Sequence, residues 1–249
     1  MTWFAIALLA VGVLAGATAT VVGFGIGSLL TPLLAVEVGI GPAVAAVVLP
    51  HVVATGLRFW RFRADVDVSV LRRFGLVSAA GGLAGALLYA RLGSSVLALA
   101  LGGLLLLTSV AGLTGWVTRW HPRGAGVWLL GLASGFFGGI AGNQGGIRSG
   151  ALLAFALTPR GLIATATATG LLVDLARMPI YFWRAGSELW TIPHLPQLIC
   201  VATVGVVVGT VAGERILFNL NLERFRRVVA ALVGVLGLWL IVRVYGVYL

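Results

Sequence analysis

Long apolar stretches recur along the whole chain, and they restrict its fold more than any other feature does. Of the 249 residues, 60% are hydrophobic and only 10% are charged, whereas a soluble domain has about 25% charged residues. A run of roughly 18 to 25 apolar residues can cross a bilayer as a helix. The polar stretches between the runs are too short to form a soluble domain. We therefore expect an all-α integral membrane protein.

Eight apolar runs predict transmembrane helices, and a shorter glycine-rich piece follows the first and the fifth run. The predicted spans are residues 3–22, 41–57, 74–90, 94–118, 126–142, 160–183, 197–217 and 228–245. The glycine-rich pieces are residues 23–40 and 143–159. Non-helical backbone at membrane depth must face protein or a wet cavity. We expect each piece to be a re-entrant or broken segment.

The two glycine-rich pieces belong to an internal repeat. A shift of 119 positions aligns four glycines of the first half with four of the second: Gly12, Gly16, Gly23 and Gly27 match Gly131, Gly135, Gly142 and Gly146. A shift of 123 positions matches Phe59-Trp60-Arg61 with Phe182-Trp183-Arg184. Ordered matches of this kind indicate duplication. We predict one repeat half at residues 1–120 and a second at 121–249.

The arginines predict the membrane topology. The net charge is +10, with no lysine. Basic chains can bind nucleic acid, but these arginines lie in short loops between apolar runs, so we predict no nucleic acid partner. The three arginine-rich loops carry Arg58, Arg61, Arg63, Arg72 and Arg73; Arg119 and Arg123; and Arg215, Arg224, Arg226 and Arg227. The positive-inside rule places these loops in the cytoplasm.

The predicted topology places equivalent loops of the two halves on opposite sides of the membrane. Loop 58–73 is then inside, whereas its repeat equivalent, loop 184–195, is outside. The two halves are therefore expected to be inverted, with both termini in the periplasm. Inverted repeats with helix breaks at matching positions are typical of secondary transporters, whose substrate sites lie between the breaks.

The two glycine clusters are the predicted substrate site. The residues are Gly25, Gly27 and Ser28 in the first break, and Gly142, Asn143, Gln144, Gly145 and Gly146 in the second. Glycine permits close backbone approach, and broken helix ends expose N–H groups that favour an anion. The alternative is tight helix packing through small residues.

Arg148 is the most specific candidate for a substrate ligand, because it lies beside the second glycine cluster among small and apolar residues. A charge at membrane depth is a functional hypothesis by default, and a guanidinium offers paired donors to an oxyanion. Alternatively, the segment lies shallower and Arg148 reaches the interface with its long side chain.

Three further residues are candidates for gating or coupling. Asp174 and Arg177 are three residues apart and share a helix face, either as a structural ion pair or as a gate. His51 is the repeat equivalent of Asp174, and a histidine can relay a proton near neutral pH. The alternative is a hydrogen-bonded histidine of the core.

Enzyme chemistry finds little support in this sequence. It contains no Gly-x-Ser-x-Gly elbow, phosphate-binding loop or His-Glu-x-x-His motif. The single cysteine, Cys200, lies in an apolar run and is expected to be buried. We predict no catalytic residues, no metal and no cofactor.

The chain resembles the TauE/SafE sulfite exporter family. The segment from Gly23 to Leu34 resembles the first signature of that family, and the segment from Ser134 to Gly146 resembles the second. The stretch Asp174-Leu-Ala-Arg177-Met-Pro179-Ile-Tyr181 looks like the charged helix often found late in the second half of the family's chains. The resemblance implies a bacterial inner-membrane transporter that exports sulfite, organosulfonates or related small anions.

Some features depart from the family pattern and leave the substrate open. The motifs read Gly25-Ile-Gly27 and Gln144-Gly-Gly146 where the family often has three adjacent glycines, and Ala151 is the counterpart of Pro32. The alternatives to an exporter are an anion uptake permease or channel, and a non-transporting membrane scaffold. Proton coupling is one option for the driving force, and a homodimer is one option for the assembly.

Overall fold

The computed structural model describes residues 2–21, 23–115, 124–143, 145–216 and 222–246. Ten α-helices, one short 3₁₀ helix (Arg63–Asp65) and no strand occur within these ranges. The α-helices are α1 (Thr2–Val21), α2 (Ile26–Val38), α3 (Ile40–Phe62), α4 (Val68–Tyr89), α5 (Ser94–Thr114), α6 (Ala125–Ala141), α7 (Gly145–Leu152), α8 (Pro159–Thr191), α9 (Leu195–Ile216) and α10 (Leu222–Gly246).

Seven of these helices are long and apolar enough to cross a membrane: α1, α3, α4, α5, α8, α9 and α10. The eighth predicted span is α6, which has 17 residues and so extends about 25 Å at 1.5 Å per residue. The helices α2 and α7 have 13 and 8 residues and fall in the two glycine-rich pieces. The structure confirms the predicted all-α membrane fold.

Two predicted loops are largely helical, so their predicted extents are wrong. Helix α8 continues to Thr191 through most of the predicted loop 184–195. Helix α3 continues to Phe62, and α4 begins at Val68, where the side chain of Asp67 caps it by accepting a hydrogen bond from the backbone N–H of Val70 (2.9 Å). Arginines mark where the apolar run ends, whereas caps and turns decide where a helix ends.

The glycines of α1 and α6 allow close helix pairs. Helix α1 packs against α9, and α6 packs against α4. A methyl group on Gly16 would collide with the backbone of Val206, and one on Gly135 would collide with the backbone of Ser78. Cys200, on α9, is exposed, so the prediction that it is buried is wrong. It lies on a face of α9 that none of the described helices covers.

The helix pairs follow the order that an inverted repeat predicts. When α1–α5 are matched in order with α6–α10, the pair α1/α9 corresponds to α6/α4, and α3/α9 corresponds to α8/α4. The pairs α3/α8 and α5/α10 correspond to themselves. The halves are interleaved rather than side by side. This pairing supports the predicted halves 1–120 and 121–249, which remain a prediction.

The chain turns back on itself at the first glycine break. Gly23 and Gly25 have φ angles of 85° and 144°, which favour glycine because other residues meet their own backbone there. Gly25 lies against Ala15 and Thr18 of α1. Helix α2 therefore does not continue the line of α1, as expected of a broken or re-entrant segment.

Candidate functional site

The two glycine breaks meet inside the molecule. Gly27, at the start of α2, lies against the carbonyl of Gly142, and Gly145, at the start of α7, lies against the carbonyl of Gly23. A side chain at Gly27 or Gly145 would collide with this backbone. The first turns of α2 and α7 thus lie beside the opposite break, and their N–H groups, which have no partner within their own helix, lie in the same region.

Not all the predicted glycines take part equally in this contact. Gly25 packs against α1, and Gly146 faces Thr108 of α5, where an added methyl group would be 3.5 Å from the nearest atom. Gln144 lies outside the described residues. Gly142 has a φ of 73° and ends α6. The predicted cradle is therefore brought together mainly through Gly27, Gly142 and Gly145.

Polar side chains near the breaks are buried, and some of their atoms lack hydrogen-bond partners. These atoms are Ser28 Oγ, Thr31 Oγ1 and Asn143 Nδ2, none of which is paired within the described chain. Thr31 was not among the predicted site residues, although its spacing of three from Ser28 places both on one face of α2. An atom at the Cβ position of Gly142 would be 3.8 Å from Thr31 Oγ1 and 3.5 Å from Arg177 Nη1. Unpaired buried polar atoms are costly, so this region favours a polar ligand.

Arg148 is buried in the bundle with 4% of its surface exposed. Its guanidinium packs on Gly170 of α8, where an added methyl group would come within 2.7 Å of Nη1. Neither Nε nor Nη1 has a partner in the part of the chain that the structure describes. The alternative in which Arg148 reaches the interface is wrong, because Gly170 leaves room for the guanidinium inside the bundle.

His51, Asp174 and Arg177 form one buried network between α3 and α8. The Nδ1 atom of His51 is 2.6 Å from Oδ2 of Asp174, and Arg177 donates to Oδ1 from Nε (3.0 Å) and Nη2 (2.8 Å). Arg177 also donates to the carbonyl of Gly138 (2.5 Å). The predicted ion pair is therefore present, and it includes the histidine.

The contact between His51 and Asp174 also bears on the repeat. The predicted repeat makes these two residues equivalent, and a residue that touches its own equivalent lies next to the axis that would relate the halves. Helices α3 and α8 are the two elements that cross at this point. The contact therefore supports the predicted repeat, which remains a prediction.

Arg58 is a buried residue that the sequence analysis assigned only to membrane topology. It lies on α3, seven residues after His51, with 4% of its surface exposed, and its Nε has no partner among the described residues. The predicted cytoplasmic loop that included it is wrong at this residue. The spacing of His51, Thr55 and Arg58 on one helix face was the available signal.

The buried charges of this region do not balance. Three arginines (Arg58, Arg148 and Arg177) and one carboxylate (Asp174) are among the buried described residues, and three positive charges against one negative charge leave an excess of two. Buried charges are stable only when they are paired. The site therefore favours an anion.

A polar cavity lies at one end of the α3/α8 pair. It has a volume of about 170 Å³, and its lining includes Tyr89, Ser94, Arg184 and Glu188. The ring of Tyr89 packs on that of Tyr181 with 4.7 Å between centroids, and the hydroxyl of Tyr181 donates to the carbonyl of Gly139 (2.6 Å). The two tyrosines lie between the cavity and Arg177.

A family model of the sulfite exporter TauE/SafE matches residues 8–240. The chain belongs to this family. No curated protein and no solved structure matches it. The match covers every residue of the described site and both glycine breaks. The protein is thus a multi-pass membrane protein of a family that exports sulfur-containing anions.

Proposed function

We propose that this TauE/SafE protein is a secondary transporter of the inner membrane that exports sulfite, an organosulfonate or a related small anion. The observation that carries this proposal is Arg148. Its guanidinium is buried, and Nε and Nη1 have no partner among the described residues. A charge at membrane depth without a partner is expensive, and a small oxyanion would supply the missing acceptors.

The glycine breaks complete this binding site. Helices α2 and α7 start where the breaks cross, so their positive ends favour the same anion as Arg148 does. Ser28, Thr31 and Asn143 add buried polar atoms without partners in the described ranges. The substrate-binding residues are then Gly27, Gly142, Gly145 and Arg148, with these three side chains, and the other predicted glycines shape the backbone.

The His51–Asp174–Arg177 network is the proposed gate and coupling element. It joins α3 to α8, which cross at the proposed repeat axis, so rocking of one half against the other must change this contact. A proton on the His51–Asp174 pair is one driving force. The membrane potential is the other, since an inside-negative potential favours anion efflux by about 2.3 kcal/mol per charge per 100 mV.

Flux in proteoliposomes tests the proposal. We expect sulfite flux that saturates with concentration and shows counterflow, which a carrier gives and a channel does not. Arg148→Gln keeps a polar side chain without the charge, and we expect it to lose more than about 90% of the flux, which is one tenfold step. Arg72→Gln, at an exposed arginine, is the control and retains it.

The same assay has outcomes that contradict the proposal. Flux that does not saturate and lacks counterflow would indicate a channel. If the folded protein carries no flux of any anion, the result would favour a non-transporting membrane scaffold. Full flux in Arg148→Gln would remove Arg148 from the site.

A further inference from the structure

Helices α3 and α8 run antiparallel, and this fixes which buried residues share a level. At one end, Asp67 N–H, just after α3, donates to Thr165 near the start of α8 (3.0 Å). At the other end, Tyr89 packs on Tyr181 late in α8 and donates to the carbonyl of Gly41 early in α3 (2.8 Å). His51 and Asp174 meet between these ends.

Arg58 and Arg148 therefore lie on the same side of the His51–Asp174 contact. Thr55 comes four residues after His51 on α3, and Gly170 comes four residues before Asp174 on α8. The guanidinium of Arg148 lies on Gly170. Arg58 follows Thr55 by about one turn. Arg148 is within electrostatic range of Asp174 and also of Arg58. Arg177 lies on the other side of Asp174, toward Tyr181.

The carboxylate of Asp174 is already used by two other groups. It contacts His51 and makes two hydrogen bonds with Arg177, and it also attracts Arg58 and Arg148 electrostatically. Glu214 is the other carboxylate near Arg58, and it pairs with Arg61 at 2.8 Å. The side chain of Arg61 is 43% exposed, so water screens that pair. Arg58 and Arg148 thus contribute two buried positive charges, and neither is in an ion pair with another described residue.

We propose that Arg58 is a second ligand of the transported anion, beside Arg148, and that the two arginines make the site selective for doubly charged oxyanions. This inference rests on the proposed function. A singly charged anion leaves one buried charge uncompensated, and uncompensated buried charge is costly. A dianion such as sulfite compensates both, and its oxygens offer an acceptor to each guanidinium.

Calorimetric titration of the purified protein tests this assignment. The probes are sulfite, at a pH at which it is doubly charged, and methanesulfonate, which has one charge and a similar oxygen arrangement. We expect the wild-type protein to bind sulfite at least about tenfold more tightly than methanesulfonate. Arg58→Gln should lower sulfite affinity about tenfold and methanesulfonate affinity less than about threefold.

Two variants keep the test decisive. Arg58→Lys retains the charge in a similar volume, so it should keep the preference for sulfite even if Arg58→Gln is too unstable to purify. Arg72→Gln removes an exposed charge and should bind as wild type does.

Loss of the preference in Arg58→Lys, or equal affinities in wild type and Arg58→Gln, would overturn the assignment. If Arg148→Gln loses both anions while Arg58→Gln loses neither, the proposed function stands and this inference fails. If wild type binds neither anion, both fail.

Discussion

At the scale of residues, the site depends on a glycine that leaves room for an arginine. Gly170 lies in the middle of α8, where glycine costs about 1 kcal/mol relative to alanine, and the guanidinium of Arg148 occupies the space that a side chain would fill. A Cβ atom at position 170 would force the guanidinium of Arg148 to move from this position.

Gly170→Ala should therefore weaken anion binding without removing any charge. The added methyl group would lie 2.7 Å from Arg148 Nη1, so the guanidinium must shift, and we expect a loss of affinity of about tenfold. Isothermal titration with sulfite measures it. Gly56→Ala on α3 is the control, because nothing lies within 4 Å of its Cβ position. Equal affinity in the two variants would show that the position of Arg148 is unimportant for binding.

The proposed proton coupling predicts a change in pH dependence. Histidine ordinarily changes its charge between about pH 5 and 8, and His51 faces Asp174 and Arg177 from α8 and Arg58 from its own helix. We expect wild-type flux to vary across this range and His51→Asn, which can still donate to Asp174, to have a flat profile. Glu214 lies on α9, where it pairs with Arg61 of α3, and it is unchanged in this variant. A pH response that persists in His51→Asn would exclude His51 as the coupling group.

Part of the site was predictable at this scale, and part was not. Arg148 and Asp174 are charges inside apolar runs, so their cost in a membrane identifies them. Arg58 lies among other arginines at the end of an apolar run, where the same charge sets topology. Thr31 and Gly170 resemble ordinary helix residues until the tertiary contacts are known.

At the scale of elements, glycine decides how closely the helices approach. Seven of the eight predicted spans are long apolar helices in the structure, because hydropathy follows burial in lipid. The sequence missed the end of α8 at Thr191 and the start of α4 at Val68, because caps and local turns set helix ends. The sequence also could not show that the two Phe-Trp-Arg triplets make related contacts. Arg61 forms an ion pair with Glu214 near the end of α9. Arg184 donates to the carbonyl of Ala90 just after α4 (3.2 Å).

The close pairs α1/α9 and α4/α6 should respond alike to the same substitution. Gly16→Ala and Gly135→Ala change repeat-equivalent residues, and each methyl group would collide with the backbone of the neighbouring helix. Overpacking of this kind costs about 1–3 kcal/mol, which equilibrium unfolding in detergent measures. Gly103→Ala, which has open space, should have little effect. A large loss in only one of the two variants would contradict equivalent packing.

At the scale of the whole molecule, the proposed transport mechanism requires two inverted halves. The helix pairs and the contact between His51 and Asp174 support this arrangement. We predict that residues 63–67 lie in the cytoplasm and that both termini lie in the periplasm. In Cys200→Ser, a cysteine introduced at Asp65 should react with an impermeant thiol reagent only in inside-out vesicles. A fluorescent reporter that folds in the cytoplasm, fused after Leu249, should be dark, and a bright fusion would contradict the inversion.

The central claim is that the buried arginine site binds a sulfur oxyanion, and thermal unfolding of the detergent-purified protein tests it most directly. A ligand that binds only the folded state must stabilise it, by about 2.7 kcal/mol at one hundred times Kd. We predict that sulfite raises the melting temperature of wild type and of Arg72→Gln, but not that of Arg148→Gln. A shift of equal size in Arg148→Gln, or no shift in wild type with any sulfur oxyanion, would contradict the account.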